Sequence, residues 1–127
     1  MNKNYSNRLL RLSAIFGLIG AILGGHMAGS HDYAFRPIHA HILVVGWLSL
    51  FSWAVYYRLF QPTAKKLSAL HVYTAMIGTI CLTGGMALNV FQFLPEAVNL
   101  IVFIGGGVTL LISFFLFLLL TFTKHSD

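Results

Sequence analysis

Carboxylates are nearly missing from this chain. Asp32, Glu96 and Asp127 are the only three, and charged residues of both signs make up 9% of the 127. All three acids fall in loops or the tail, so the apolar stretches hold none that could build a proton channel. Cysteine is also scarce. Cys81 stands alone in mid-run, which excludes an intrachain disulfide and leaves it as a small packing residue. A structural zinc site wants about four ligands, commonly with Cys or carboxylate among them, and no such set is present. A cleavable signal sequence is missing too: the first apolar run has no small-residue cleavage site and continues to span length.

What is abundant is apolar surface. Hydrophobic residues make up 57% of the chain, more than a soluble domain of this size can hide, so the solvent is lipid. Four runs, 9–28, 38–60, 67–90 and 97–122, each reach about the twenty residues that one span requires. In lipid every backbone polar group must be paired within its own segment, which selects helices. The expected fold is all-α, a four-transmembrane-helix bundle forming one integral membrane domain over residues 1–127. Residues 1–7 read as a polar leader.

Basic residues set the expected orientation. Lys3, Arg8, Arg11, Arg58, Lys65, Lys66 and Lys124 fall on one side of the four spans, and only Arg36 on the other. The positive-inside rule then puts both termini in the cytoplasm, as in a bacterial inner membrane protein. The net charge of +5 is accounted for by topology and contact with anionic lipid, without nucleic acid.

Glycine patterns the spans. Gly17, Gly20 and Gly24 share one face of the first span, where small residues admit a neighbouring helix or a flat ligand. Gly78, Gly84 and Gly85 mark the third span, and Gly105, Gly106 and Gly107 the fourth. The rest of the fourth run, 110–122, is rich in Phe and Leu and reads as a face for lipid or another subunit. Tyr56, Tyr57 and Arg58 read as an interfacial aromatic belt.

Six histidines remain to be placed. His26, near the end of the first span, and His39 and His41, opening the second, lie at similar depth on antiparallel neighbours. His39 and His41 are about 200° apart around a helix, so their rings point to nearly opposite sides. Of the two, the deeper His41 is expected to be the buried ligand. His71 lies on the order of 20 Å away, near the opposite face. His31 and His125 read as solvated. Heme needs only one or two axial histidines and an apolar slot, so His26, His39 and His41 fit heme better than zinc. The competing reading is that they cap helix ends at the interface.

The run Ile38-His39-Ala40-His41-Ile42-Leu43-Val44-Val45-Gly46-Trp47, followed by Tyr56-Tyr57-Arg58-Leu59-Phe60, resembles the short four-helix membrane proteins related to subunit I of the heme-copper oxidases and nitric-oxide reductases. The similarity is best across residues 36–60 and extends weakly to Leu70-His71. In the large subunit a similar His-x-His serves two hemes, one on each side of its helix, and a histidine from another helix completes the low-spin heme. The resemblance implies that His39 and His41 ligate heme. His26 would take an opposite axial place by depth, and Arg36 would pair with propionates. The chain departs from the pattern in having no second histidine cluster for copper, so a complete oxidase site is not present in one subunit.

The expectation is a heme-b-binding membrane protein that moves electrons to or from a redox partner, or binds a diatomic gas. The alternative is a non-enzymatic membrane subunit that handles copper or heme through its outer-face histidines. A homo-oligomer is expected to cover the outward-pointing imidazole. A dimer is the default, and the three four-helix arcs of the large subunit suggest a trimer.

Overall fold

The computed structural model describes residues 1–125, so the expected tail position of Asp127 lies outside the described residues. Four helices are long and apolar enough to cross a membrane: α1 (Asn2–Ser30), α2 (Arg36–Leu59), α3 (Lys65–Phe91) and α4 (Glu96–Thr121). By length and composition the chain is an all-helical integral membrane protein. Each helix runs beyond its apolar run at one end or both. The largest extension is at residues 2–8, which are helical because that turn packs as well as the apolar ones. Ser6 and Leu9 are buried, and the Ser6 hydroxyl donates to the Ala54 carbonyl at 2.8 Å. Three loop or cap positions, His31, Gln61 and Gln92, take left-handed φ of 56°, 46° and 53°. His31 and Gln92 end α1 and α3 where glycine is the usual residue.

The helices pair as two hairpins, and glycine sets both. On α1, a Cβ at Gly17 would lie 3.0 Å from the Trp47 ring, one at Gly20 would clash with Leu43, and one at Gly24 would lie 2.9 Å from His39 Cε1. Positions 17, 20 and 24 therefore receive positions 47, 43 and 39, at the four-residue spacing of one face of α2. The partner glycine on α2 is Gly46, whose missing Cβ would meet the Phe16 ring at 2.5 Å. In the second hairpin the contact is backbone to backbone. A Cβ at Gly78 would lie 2.5 Å from the Leu110 nitrogen, one at Gly85 would lie 2.7 Å from the Phe103 Cα, and one at Gly106 would strike Leu82. Leu110, Leu116 and Leu120 are buried. Residues 110–122 therefore keep one stripe for the bundle and leave only the rest, such as Leu111 and Phe115, to its surroundings.

α2 is not uniform. It begins as an α-helix (Arg36–His41), opens into a π-helix over Ile42–Ser49 and closes again to α over Leu50–Leu59. The Ser49 hydroxyl donates to the Val44 carbonyl five residues back, at 2.9 Å. A π-turn takes in one more residue than an α-turn. The second half of α2 is thus rotated from where a continuous α-helix would put it. This lets His39 and Leu43 face α1 in one half while Trp53 and Tyr57 face α3 in the other.

The seam between the two hairpins closes at the His71 end. Trp53 of α2 meets His71 of α3 and Phe114 of α4, each edge to face with centroids 4.9 Å apart. Tyr56 meets Phe117 at 5.0 Å. Tyr56 and Tyr57 are therefore core residues and not an interfacial belt; Tyr57 is 0% exposed. At the other end a single ring pair crosses the seam among the described residues, Phe35 against Phe91 with centroids 5.7 Å apart.

Candidate functional site

His39 and His41 do point to opposite sides of α2, but their burial is the reverse of the expectation. His39 lies half-buried against Gly24 of α1, with its Nδ1 shielded and without a hydrogen-bond partner. His41 is exposed. Depth suggested that His41 would be the inner ring, but azimuth decides: the α1-facing stripe of α2 runs through positions 39, 43 and 47, and 41 is half a turn away from it.

The His41 ring is held in one orientation. Its Nδ1 lies 2.8 Å from the Pro37 carbonyl oxygen. A carbonyl only accepts, so Nδ1 carries the proton and donates, and Nε2 keeps its lone pair. That pair points away from the bundle's interior. An imidazole that donates through one nitrogen and offers the other is in the tautomer that metal ligation requires.

His26 is exposed on α1, with its ring 6.4 Å from that of Phe35. The α1–α2 contacts put Gly24 level with His39. His26 therefore lies two residues, about 3 Å, beyond it, and His41 about 3 Å to the other side. The similar depth expected for the three is observed. They nevertheless face three directions. Among the described residues no three His, Cys, Asp or Glu side chains come together as a ligand set.

Arg36 is exposed, with its guanidinium carbon 4.7 Å from the centroid of the Tyr33 ring. The preceding loop is short and internally bonded. Ser30 Oγ donates to the His26 carbonyl at 2.9 Å, and the Ala34 N–H donates to Asp32 Oδ1 at 3.0 Å. His31 is exposed, as expected for a loop residue.

A flat ligand does not fit between α1 and α2, because Trp47, Leu43 and His39 already fill the places opposite Gly17, Gly20 and Gly24. The outer surface near His26 is different. Gly25 and Gly29, one residue before His26 and one turn after it, have open space where a Cβ would sit. The histidines thus fit a planar group held on the outside of the hairpin, not one buried within it.

No family model, curated protein or solved structure matches the chain.

Two features escaped the sequence reading. His125 is not solvated: its Nε2 lies 2.8 Å from the Tyr56 hydroxyl, and Thr63 N and Oγ1 both donate to the Lys124 carbonyl, at 3.1 and 2.9 Å. The tail is thereby fastened to the α2–α3 turn. His71 is wholly buried, with Nδ1 2.9 Å from the Tyr57 hydroxyl. The same hydroxyl lies 3.2 Å from the Ser68 carbonyl. A phenol has one proton, and a carbonyl can only accept it. His71 Nδ1 then donates to Tyr57, and Nε2 is left as a shielded lone pair without a partner.

Proposed function

We propose that this protein binds heme b on the outer surface of its α1–α2 hairpin and serves as a membrane electron carrier or diatomic-gas-binding protein. The observation that carries the reading is the His41 ring, locked through Nδ1 to the Pro37 carbonyl with its lone pair turned outward. His41 would hold the iron through its Nε2. His26, exposed beside Gly25 and Gly29 on the other helix, is the second candidate. His39 packs behind the site against Gly24 of α1, with its Nδ1 shielded and unpartnered. Arg36 stands at the same end to pair with a carboxylate of the bound group.

A bound heme supplies reversible one-electron iron chemistry, tuned by its axial ligands and its burial. The residues of this chain fix the imidazole tautomer, orient the ring and present an apolar surface. His26 and His41 face different directions, so one chain offers the group a single histidine and covers it from one side only. The reading therefore includes a homo-oligomer, dimer or trimer, whose second subunit closes over it. It also includes the orientation drawn from the basic residues, with both termini cytoplasmic and the His39 end outside.

The test is a visible spectrum of the protein purified in mild detergent after expression with heme precursor. A heme b absorbance that sharpens on dithionite reduction and is lost in His41→Ala is expected. A colourless protein that retains copper supports the copper-handling alternative and overturns this one.

A further inference from the structure

At the His39 end the seam between the two hairpins opens into a cleft, and a second hollow lies beside it on the α3–α4 hairpin. The first has a volume of about 310 Å³ and an apolar wall that includes Ile38, Met86, Val90, Leu100 and Phe103. The second has a volume of about 500 Å³, and its wall includes Asn89, Gln92, Glu96 and Asn99. Asn89, Glu96 and Asn99 line both hollows, so the apolar cleft has polar groups of its own at one end.

The polar wall is built. Asn99 is 6% exposed. Its NH2 donates to the Gly85 carbonyl at 2.9 Å, and its amide oxygen accepts from the Asn89 backbone N–H at 3.2 Å. These contacts fix the back of the vestibule. The Glu96 side chain, exposed in the first turn of α4, is an acidic group at its rim.

We propose that this cleft binds a lipid-soluble molecule with an aromatic ring and a hydroxyl head, of the hydroquinone or alkylphenol class. The chemistry of the walls selects it. An acyl chain alone would leave two or three amides and a carboxylate facing hydrocarbon, a costly arrangement. A phospholipid phosphate would meet the Glu96 carboxylate, and no Lys or Arg lines either hollow to offset the repulsion. Glu96 calls for a hydrogen-bond donor, and the side-chain amides both donate and accept. One carboxylate among amides suits an uncharged hydroxyl better than a full cation. Met86 and Phe103 offer a soft thioether and a ring face to an aromatic body. The cleft's volume of about 310 Å³ is in the range of small-molecule sites, roughly 300–1,000 Å³.

This inference does not rest on heme, and its test is one of binding only. The full chain is reconstituted in nanodiscs, and decyl-hydroquinone is titrated anaerobically against protein-free nanodiscs, with saturation-transfer NMR as the readout. One saturable site per chain is expected. Glu96→Ala should weaken it by about tenfold, the scale of one hydrogen bond to a charged group. Val90→Trp, which fills the apolar cleft from its rim, should abolish saturation while the circular dichroism spectrum stays helical. The oxidised decyl-quinone has no hydroxyl to donate, so it should bind about tenfold more weakly and be indifferent to Glu96→Ala. Non-saturable partitioning, or saturation unchanged in Val90→Trp, overturns the site. Tighter, Glu96-dependent binding of dodecylammonium than of decyl-hydroquinone overturns the hydroxyl assignment.

Discussion

The same two hairpins meet in opposite ways at their two ends. At the His71 end, Trp53, Tyr56, Tyr57, His71 and Phe117 interlock ring to ring. At the His39 end fewer rings cross the seam: Phe35 meets Phe91, with centroids 5.7 Å apart, and other side chains are used within the hairpins. His39 and Leu43 turn into α1, and Phe103 packs on Gly85. One end is a fastening and the other a cleft with histidines beside it. The difference follows from side-chain size. Glycine contacts bring partners within each hairpin close, and only large rings can then bridge the wider gap between hairpins. Where the sequence supplies Ile38, Met86 and Val90 beside the one Phe35–Phe91 pair, a cleft of about 310 Å³ remains.

Removing a ring at the closed end should do the most damage. Trp53 is 2% exposed and touches both α3 and α4. Trp53→Ala is expected to cost about 3 kcal/mol or more through the cavity it leaves, read as the shift in a detergent unfolding curve. Val90→Ala, at the open end, should cost under about 1 kcal/mol, because it removes methyl groups from a cleft wall and leaves no closed cavity. Equal costs would mean that the seam is no tighter at one end than at the other.

The Tyr57–His71 pair comes next. Tyr57→Phe strands His71 Nδ1 as well as Nε2 and should destabilise by about 1–3 kcal/mol. His71→Leu is expected to behave differently. It removes the unpartnered Nε2, and Tyr57 still reaches the Ser68 carbonyl. The substitution should be neutral or stabilising in the same assay. A loss of about 2 kcal/mol or more would show that Nε2 has a partner that the chain alone does not provide. A smaller effect, about 0.5–1 kcal/mol, is expected for His125→Ala, which releases the half-buried tail from the Tyr56 hydroxyl.

Much of this contrast was legible in the residues. Run length and charge scarcity gave four helices, and glycine spacing gave the face on which α1 packs. The angle between positions 39 and 41 gave opposed imidazoles. What was hidden depends on rotation and on distant contacts. Nothing in Ile42–Ser49 separates a π-turn from an α-turn, since both suit an unbroken apolar run, yet that stretch decides which rings of α2 reach α3. Tyr56 and Tyr57 have belt composition and belt position, and only Ser68, His71 and Phe117, far along the chain, make them core. The cleft was invisible for a similar reason. Asn89 and Gln92 on α3 and Asn99 on α4 read as the ends of two spans until the register of α3 against α4 brings them to one wall.

The smallest expected effect on stability is also the sharpest test of the proposed site. His41 is exposed, and its one hydrogen bond goes to the carbonyl of its own preceding turn. That bond has no tertiary partner, and Pro37 already presets the first turn of α2. His41→Ala should therefore change the unfolding midpoint by no more than about 0.5 kcal/mol, as exposed substitutions away from caps and cores usually do. If His41 is the axial ligand, the same variant should lose its heme spectrum almost completely. His39→Ala should show the opposite balance. It empties space against Gly24 of α1 and so costs about 1 kcal/mol or more, while heme is retained with an altered spectrum. Comparable heme retention in the two variants would remove the ligand role from His41. The exposed ring and its locked tautomer would then be an ordinary helix-end hydrogen bond.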